Sequence, residues 1–138
     1  MKMEIYRILA IDYGEKRIGL ALSDPLRTIG RPYRVVANTE GFWSELSKII
    51  ESERVGKVVL GLPLNFEGED TLKTAEVRRF GEELRQHISI PWDFADESFT
   101  SVDANAALKS MGYNVRESRK VIDKVAAALI LRNYLEQQ

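Results

Sequence analysis

The chain has no cysteine and a single histidine, His87, among its 138 residues. The first absence excludes disulfides, thiolate nucleophiles, cysteine-based zinc sites and iron–sulfur clusters, and it fits a reducing compartment. The second leaves Ser–His–Asp catalysis and multi-histidine metal sites hanging on one residue, which disfavours both. An excess of one charge is missing too. Lys and Arg number 20 against 21 Asp and Glu, for a net charge of −1. No bulk attraction to nucleic acid or membranes follows, so any nucleic-acid surface must arise by clustering. No apolar run reaches membrane-spanning length and the N-terminus lacks a signal-peptide pattern, so the cytoplasm is the expected location. Repeats, low-complexity tracts and Pro- or Gly-rich linkers are absent as well, which predicts one domain over residues 1–138. With 44% hydrophobic and 30% charged residues, the chain has the composition of a globular protein. Carboxylates, hydroxyls, Lys, Arg and the backbone remain for hard chemistry.

Local patterns give an element order. Ile5 to Ile11 is a β-branched apolar run that stops at Asp12-Tyr13-Gly14 and reads as a buried strand. Arg17 to Ser23 returns after a tight turn and is broken by Asp24-Pro25; Arg34 to Thr39 predicts a third strand. Phe42, Leu46, Ile49 and Ile50 share one helical face. Val58 to Gly61 is a short buried strand that Pro63 stops, and residues 65–70 form a polar loop. Val77, Phe80, Leu84 and Ile88 are spaced for a second helix, and Trp92 to Ala95 predicts a strand after Pro91. Thr100 and Asp103 read as an N-cap pair opening a helix through Met111, ended by Gly112. A final, largely buried helix runs from about Arg116 to Leu135. Antiparallel strands followed by β-α-β crossovers predict an α/β fold: a mixed five-stranded sheet, meander first and parallel strands later, flanked by helices. This is the ribonuclease H-like arrangement.

Three acidic positions stand apart. Asp12 follows the first strand, Asp96-Glu97 follows the last, and Asp123 lies in the most apolar helix. Strand ends in open α/β sheets are where ligands bind, and a carboxylate there costs desolvation energy unless a cation compensates it. Strand alternation sends Asp96 and Glu97 to opposite faces, so at most one belongs to a site. Acids converging from separate elements would welcome Mg²⁺ or Mn²⁺, hard ions that prefer oxygen ligands. Two such ions hydrolyse phosphodiesters without histidine or cysteine. Simpler roles exist for each acid: Asp12 in an Asx-turn before glycine, Asp96 in a surface pair, Asp123 paired with Lys120 or Lys124.

The turn Asp12-x-Gly14-x-Lys16-Arg17-x-Gly19 puts two cations beside Asp12, placed either to touch phosphate or to offset the acid. It also resembles the phosphate-binding turn of sugar kinases and actin-like ATPases, which clamp nucleotide between two related domains; one domain here disfavours that reading. Asn65, just past the Gly61-Leu62-Pro63 strand end, is placed either to donate to phosphate or merely to open the loop. Ser98, Thr100 and Ser101 are further hydroxyls near the presumed site. Residues 1–34 carry seven basic and four acidic side chains, whereas 40–70 carry three and seven. Arg116, Arg119, Lys120 and Lys124 enter the last helix beside Asp123, and with the N-terminal cations they would form a nucleic-acid track if both border one cleft. Tyr113 and Phe66 are the candidates for base stacking. His87 ends a helix, where its cation suits the dipole.

Taken together, IDYGEKRIGLALSDP (11–25), VVLGLPLNFEG (58–68), VRRFGEELR (77–85), DESFTSVDA (96–104) and VIDKVAAALILRNYL (121–135) resemble the YqgF/RuvX family along nearly the whole chain. The family has a ribonuclease H-like fold related to the RuvC resolvase. It is implicated in maturing the 5′ end of bacterial small-subunit ribosomal RNA and is often labelled a Holliday-junction resolvase. The resemblance implies that Asp12, Glu97 and Asp123 are the catalytic, metal-binding triad, with Mg²⁺ or Mn²⁺ as cofactor. It also matches Lys16, Arg17, Gly19, Gly61, Pro63 and Asn65 to motif positions. Ser98 stands where the family has Arg, and Ser101 where it has a second Thr; the lost Arg removes a cationic fork for phosphate. The expected function is a metal-dependent nuclease acting on structured RNA, with Lys16, Arg17, Asn65, Arg116, Arg119 and Lys120 on the nucleic acid. DNA four-way junctions are the alternative substrate, and a non-catalytic ribosome-assembly module is the alternative role. The expected partners are precursor ribosomal RNA or branched DNA, together with pre-ribosomal particles and no membrane. The chain is expected to be a monomer or weak homodimer.

Overall fold

The apolar run that ends at Asp12 becomes a central strand, buried on both faces between one antiparallel and one parallel neighbour. The structure, a computed structural model, describes residues 4–65, 67–97 and 115–137, with backbone alone for 115–122. The elements are β1 (Arg7–Asp12), β2 (Arg17–Ser23), β3 (Gly30–Ala37), α1 (Gly41–Ser52), β4 (Val55–Pro63), α2 (Leu72–His87), β5 (Trp92–Glu97) and α3 (Val115–Glu136). The sheet order is β3-β2-β1-β4-β5. The first three strands pair antiparallel, and β1, β4 and β5 run parallel. This is the mixed five-stranded ribonuclease H-like sheet expected from the sequence.

Several boundaries differ, each for a local reason. Ile5 lies outside β1 and is 63% exposed, because pairing with β4 begins at Arg7. β3 starts at Gly30 rather than Arg34, since an edge strand tolerates Pro32. β4 begins at Val55, straight after Arg54 turns the chain with a φ of 53°. Asp96 and Glu97 do not follow β5 but close it, paired beside Leu62 and Pro63. The helix expected over 100–111 falls outside the described residues. Among the described residues no helix is long and apolar enough to cross a membrane.

The two faces of the sheet are built differently. Leu9, Ile11, Ile18, Leu20, Val58, Leu60 and Leu62 pack against Phe42, Leu46 and Ile49 of α1 and Val77, Phe80 and Leu84 of α2. The other face carries small residues, Ala10, Ala21 and Ala95, under Ala127, Ala128, Ile130 and Leu131 of α3. Small side chains on both partners let α3 approach closely. A Cβ on Gly19 would lie 2.1 Å from the Asp123 carbonyl oxygen, and one on Gly61 2.4 Å from Ile130 Cδ1. The β2 backbone therefore bears directly on the α3 turn that carries Asp123.

Candidate active site

Strand alternation decides which side chains share the α3 face. On β1, Leu9 and Ile11 face α1 and α2, so Ile8, Ala10 and then Asp12 face α3. On β5, Ala95 faces α3, so Glu97 does too, while exposed Asp96 points to the opposite side, where its charge acts on Arg78 of α2. Asp12 and Glu97 stand on strands separated by β4, roughly 9–10 Å between backbones at ordinary strand spacing. Gly61 of β4 opens the space between them: the Glu97 Oε2 lies 3.0 Å from where its Cβ would be. Glu97 thus reaches across a strand that offers no side chain there.

Both carboxyls hold their protons unusually tightly. Burial, reinforced by the negative charges of Glu97 and Asp123, pushes Asp12 up to about 8, against the lowering effect of Lys73. Burial pushes Glu97 up to about 7, again opposed by Lys73. Such groups accept a cation in place of their protons, because the ion removes the repulsion that burial amplifies. Asp123, half-buried, is turned to Arg17, whose Nε donates to its Oδ2 at 3.1 Å. Gly19, the register partner of Asp12, lies under Asp123. The structure gathers the three acids at one end of one face, without closing them into a ligand cluster. Among the described residues no three Asp, Glu or His side chains are grouped tightly enough to hold a metal ion.

The turn between β1 and β2 is braced by the residue that follows β3. Asn38 donates through Nδ2 to the Gly14 carbonyl at 2.8 Å, and its N–H donates to the Lys16 carbonyl at 2.9 Å. A Cβ on Gly14 would strike the Arg17 carbonyl oxygen at 2.4 Å, so the turn needs glycine there. Lys16 and Arg17 emerge from this fixed turn into a cleft of about 460 Å³ also lined by Lys73 and Asp123. Asn65 shapes its loop through Oδ1, which accepts from the N–H groups of Glu67 and Glu69, both at 2.9 Å; the Nδ2 group expected to donate to phosphate takes no part in these bonds. Arg116, Arg119 and Lys120 lie on the first turns of α3, and their side chains are outside the described residues, as are Phe66, Ser98, Thr100, Ser101 and Tyr113. His87 ends α2 stacked on Trp43, 4.1 Å between centroids, far from any role with the acids.

Sequence reasoning missed Asn38 and Lys73. The signal for Lys73 was present: a helix entered from the end of a central strand places its first turn beside the strand-end site. Thr71 and Thr74 form a capping box at that start, and the Thr74 hydroxyl also donates to the Pro63 carbonyl.

A mixed five-stranded sheet of this order, flanked by helices, is that of the ribonuclease H-like class. The fold is shared at low sequence identity with fowlpox virus Holliday junction resolvase, at a TM-score of 0.54 and 12% identity over 96% of this chain and 99% of that one. The same resolvase in complex with junction DNA superposes at a TM-score of 0.52 and 11% identity, covering 95% and 97%. The chain belongs to the RuvX family, described as Holliday junction resolvase, whose model matches residues 6–137. A relative from Maridesulfovibrio salexigens, named "Putative pre-16S rRNA nuclease", is 43% identical over 131 residues, 94% of this chain and 97% of its own. One of the same name from Dictyoglomus thermophilum is 40% identical over 133 residues, 94% and 95% of the two chains.

Proposed function

We propose that this chain is a divalent-metal-dependent endonuclease that acts on structured RNA and trims the 5′ end of precursor small-subunit ribosomal RNA in the cytoplasm, working as one domain. The names of its relatives support the substrate. The chemistry rests on one observation: Asp12 and Glu97, half-buried at the α3 side of the sheet with Gly61 leaving the space between them open, hold their protons to about 8 and 7. Their donor set is oxygen alone, which fits Mg²⁺ or Mn²⁺. Asp12 and Glu97 would hold the ion, with Asp123 joining them on leaving Arg17. Once bound, the ion would supply Lewis acidity at the scissile phosphate.

The chain's own residues do the rest. Arg17 is exposed and its pair with Asp123 is weak by position, so an incoming phosphate competes for the guanidinium and frees the carboxylate. Lys16 sits on the same braced turn and adds a second cation for the backbone of the substrate. Ala and Gly at the sheet face let α3 exclude water from the inner side of Asp12. Cleavage would leave a 5′-phosphate and a 3′-hydroxyl.

The test is incubation with precursor ribosomal RNA and with a DNA four-way junction, each with Mg²⁺ or Mn²⁺, beside Asp12→Asn. RNA cleavage that Asp12→Asn abolishes, with circular dichroism unchanged, is expected. Equal cleavage by the variant refutes the assignment of Asp12. Cleavage of the junction alone moves the substrate to DNA, and RNA binding without cleavage leaves a binding module.

A further inference from the structure

Lys73 occupies a place that helix stability does not explain. It is the second residue of α2, within the first turn, where the macrodipole disfavours a cation. Its ion pair with Glu76 is 4.0 Å long and joins two exposed side chains, a contact worth little. Its Nζ instead stands 5.5 Å from the centroid of Tyr13, the residue after Asp12. It lines the same cleft as Lys16, Arg17 and Asp123, and its charge acts on both Asp12 and Glu97. The capping box of Thr71 and the buried Thr74, tied to the Pro63 carbonyl, anchors the turn that presents it. Three cations, Lys16, Arg17 and Lys73, therefore line one cleft with Asp123, together with the carboxylates of Glu15 and Glu76. A polyanionic strand laid along this cleft would be repelled by its acids without those cations.

We propose that Lys73 is a substrate-gripping residue that binds a backbone phosphate of the RNA strand beside the bond to be cut, completing with Lys16 and Arg17 a three-cation clamp. This rests on the nucleic-acid reading of the cleft, and it can be tested without catalysis. The affinity of a fluorescent stem-loop RNA for the intact chain is measured by anisotropy in EDTA across a range of salt concentrations. Variants Lys73→Gln and Lys73→Arg are compared with Lys48→Gln on the exposed side of α1. Lys73→Gln is expected to lower the slope of log K against log salt by about 0.7–0.9, the loss of one phosphate contact. Lys73→Arg keeps the slope, and Lys48→Gln does not change it. In cleavage assays Lys73→Gln should raise KM more than it lowers kcat. A Lys73→Gln slope equal to that of Lys48→Gln overturns the proposal, as does absence of RNA binding by the unaltered chain. Absence of cleavage with binding intact overturns only the nuclease reading.

Discussion

Replacing Gly19 by alanine should disable the site without touching any acid. The new Cβ would sit 2.1 Å from the Asp123 carbonyl oxygen, 2.3 Å from its carbonyl carbon and 2.9 Å from Lys124 N. Ordinary van der Waals contact begins at 3.4 Å, so the α3 turn must retreat by about 1.3 Å. All three atoms are backbone, and no side-chain rotation relieves them. Overpacking of this kind costs roughly 1–3 kcal/mol. The displaced turn carries Asp123, and a 1 Å misplacement of a catalytic group costs on the order of 100-fold in rate. Urea unfolding gives the first quantity and cleavage of precursor ribosomal RNA the second. Gly41→Ala is the control, since its Cβ would meet nothing closer than Thr39 Oγ1 at 3.6 Å. A Gly19→Ala protein with the stability and activity of that control would refute the contact between β2 and α3, and with it the delivery of Asp123.

Stability should depend on pH in an unusual direction. Asp12 and Glu97 titrate higher in the folded chain than their ordinary values of 3.8 and 4.5, so the folded state retains protons that the unfolded state has released. Their favourable contribution is complete below about pH 4 and fades as pH rises through 7 and 8. In EDTA the melting temperature should therefore fall between pH 5 and 8.5, and Asp12→Asn should flatten that fall; identical slopes would show that Asp12 is not buried among acids. Thr74→Val should destabilise the chain by about 2 kcal/mol in urea unfolding, because it strips a partner from the Pro63 carbonyl and from the Thr71 N–H. An isosteric loss below 0.5 kcal/mol would mean that this capping box is not formed.

Much of the site's direction was written in the sequence. Alternation along WDFADE allows only one of Asp96 and Glu97 onto a given face, and Glu97 is the one under α3. The run ending at Asp12 and the DYGEKR turn are local patterns, and β2 spans the predicted residues 17–23. Edges were harder to place. Pro32 hid the start of β3 because whether a strand lies at the sheet edge is a pairing property, not a local one. Lys73 was easy to overlook although its helix follows a central strand: that helix begins five residues before Val77, the first residue of the apolar stripe, at a capping box built from two threonines rather than the usual acidic partner.

By itself the sequence determined the alternating faces, the order of strands and helices, and the all-oxygen chemistry that remains when cysteine is absent and histidine is single. Tertiary structure alone decided how near the acids come, since Asp12, Glu97 and Asp123 are separated by dozens of residues. Their approach depends on glycines at 19 and 61 that let α3 and Glu97 close over the sheet. It also decided that Arg17 engages Asp123 and that Lys73 overlooks both strand-end acids. Charge pairing follows distance through space, which periodicity along a chain does not encode.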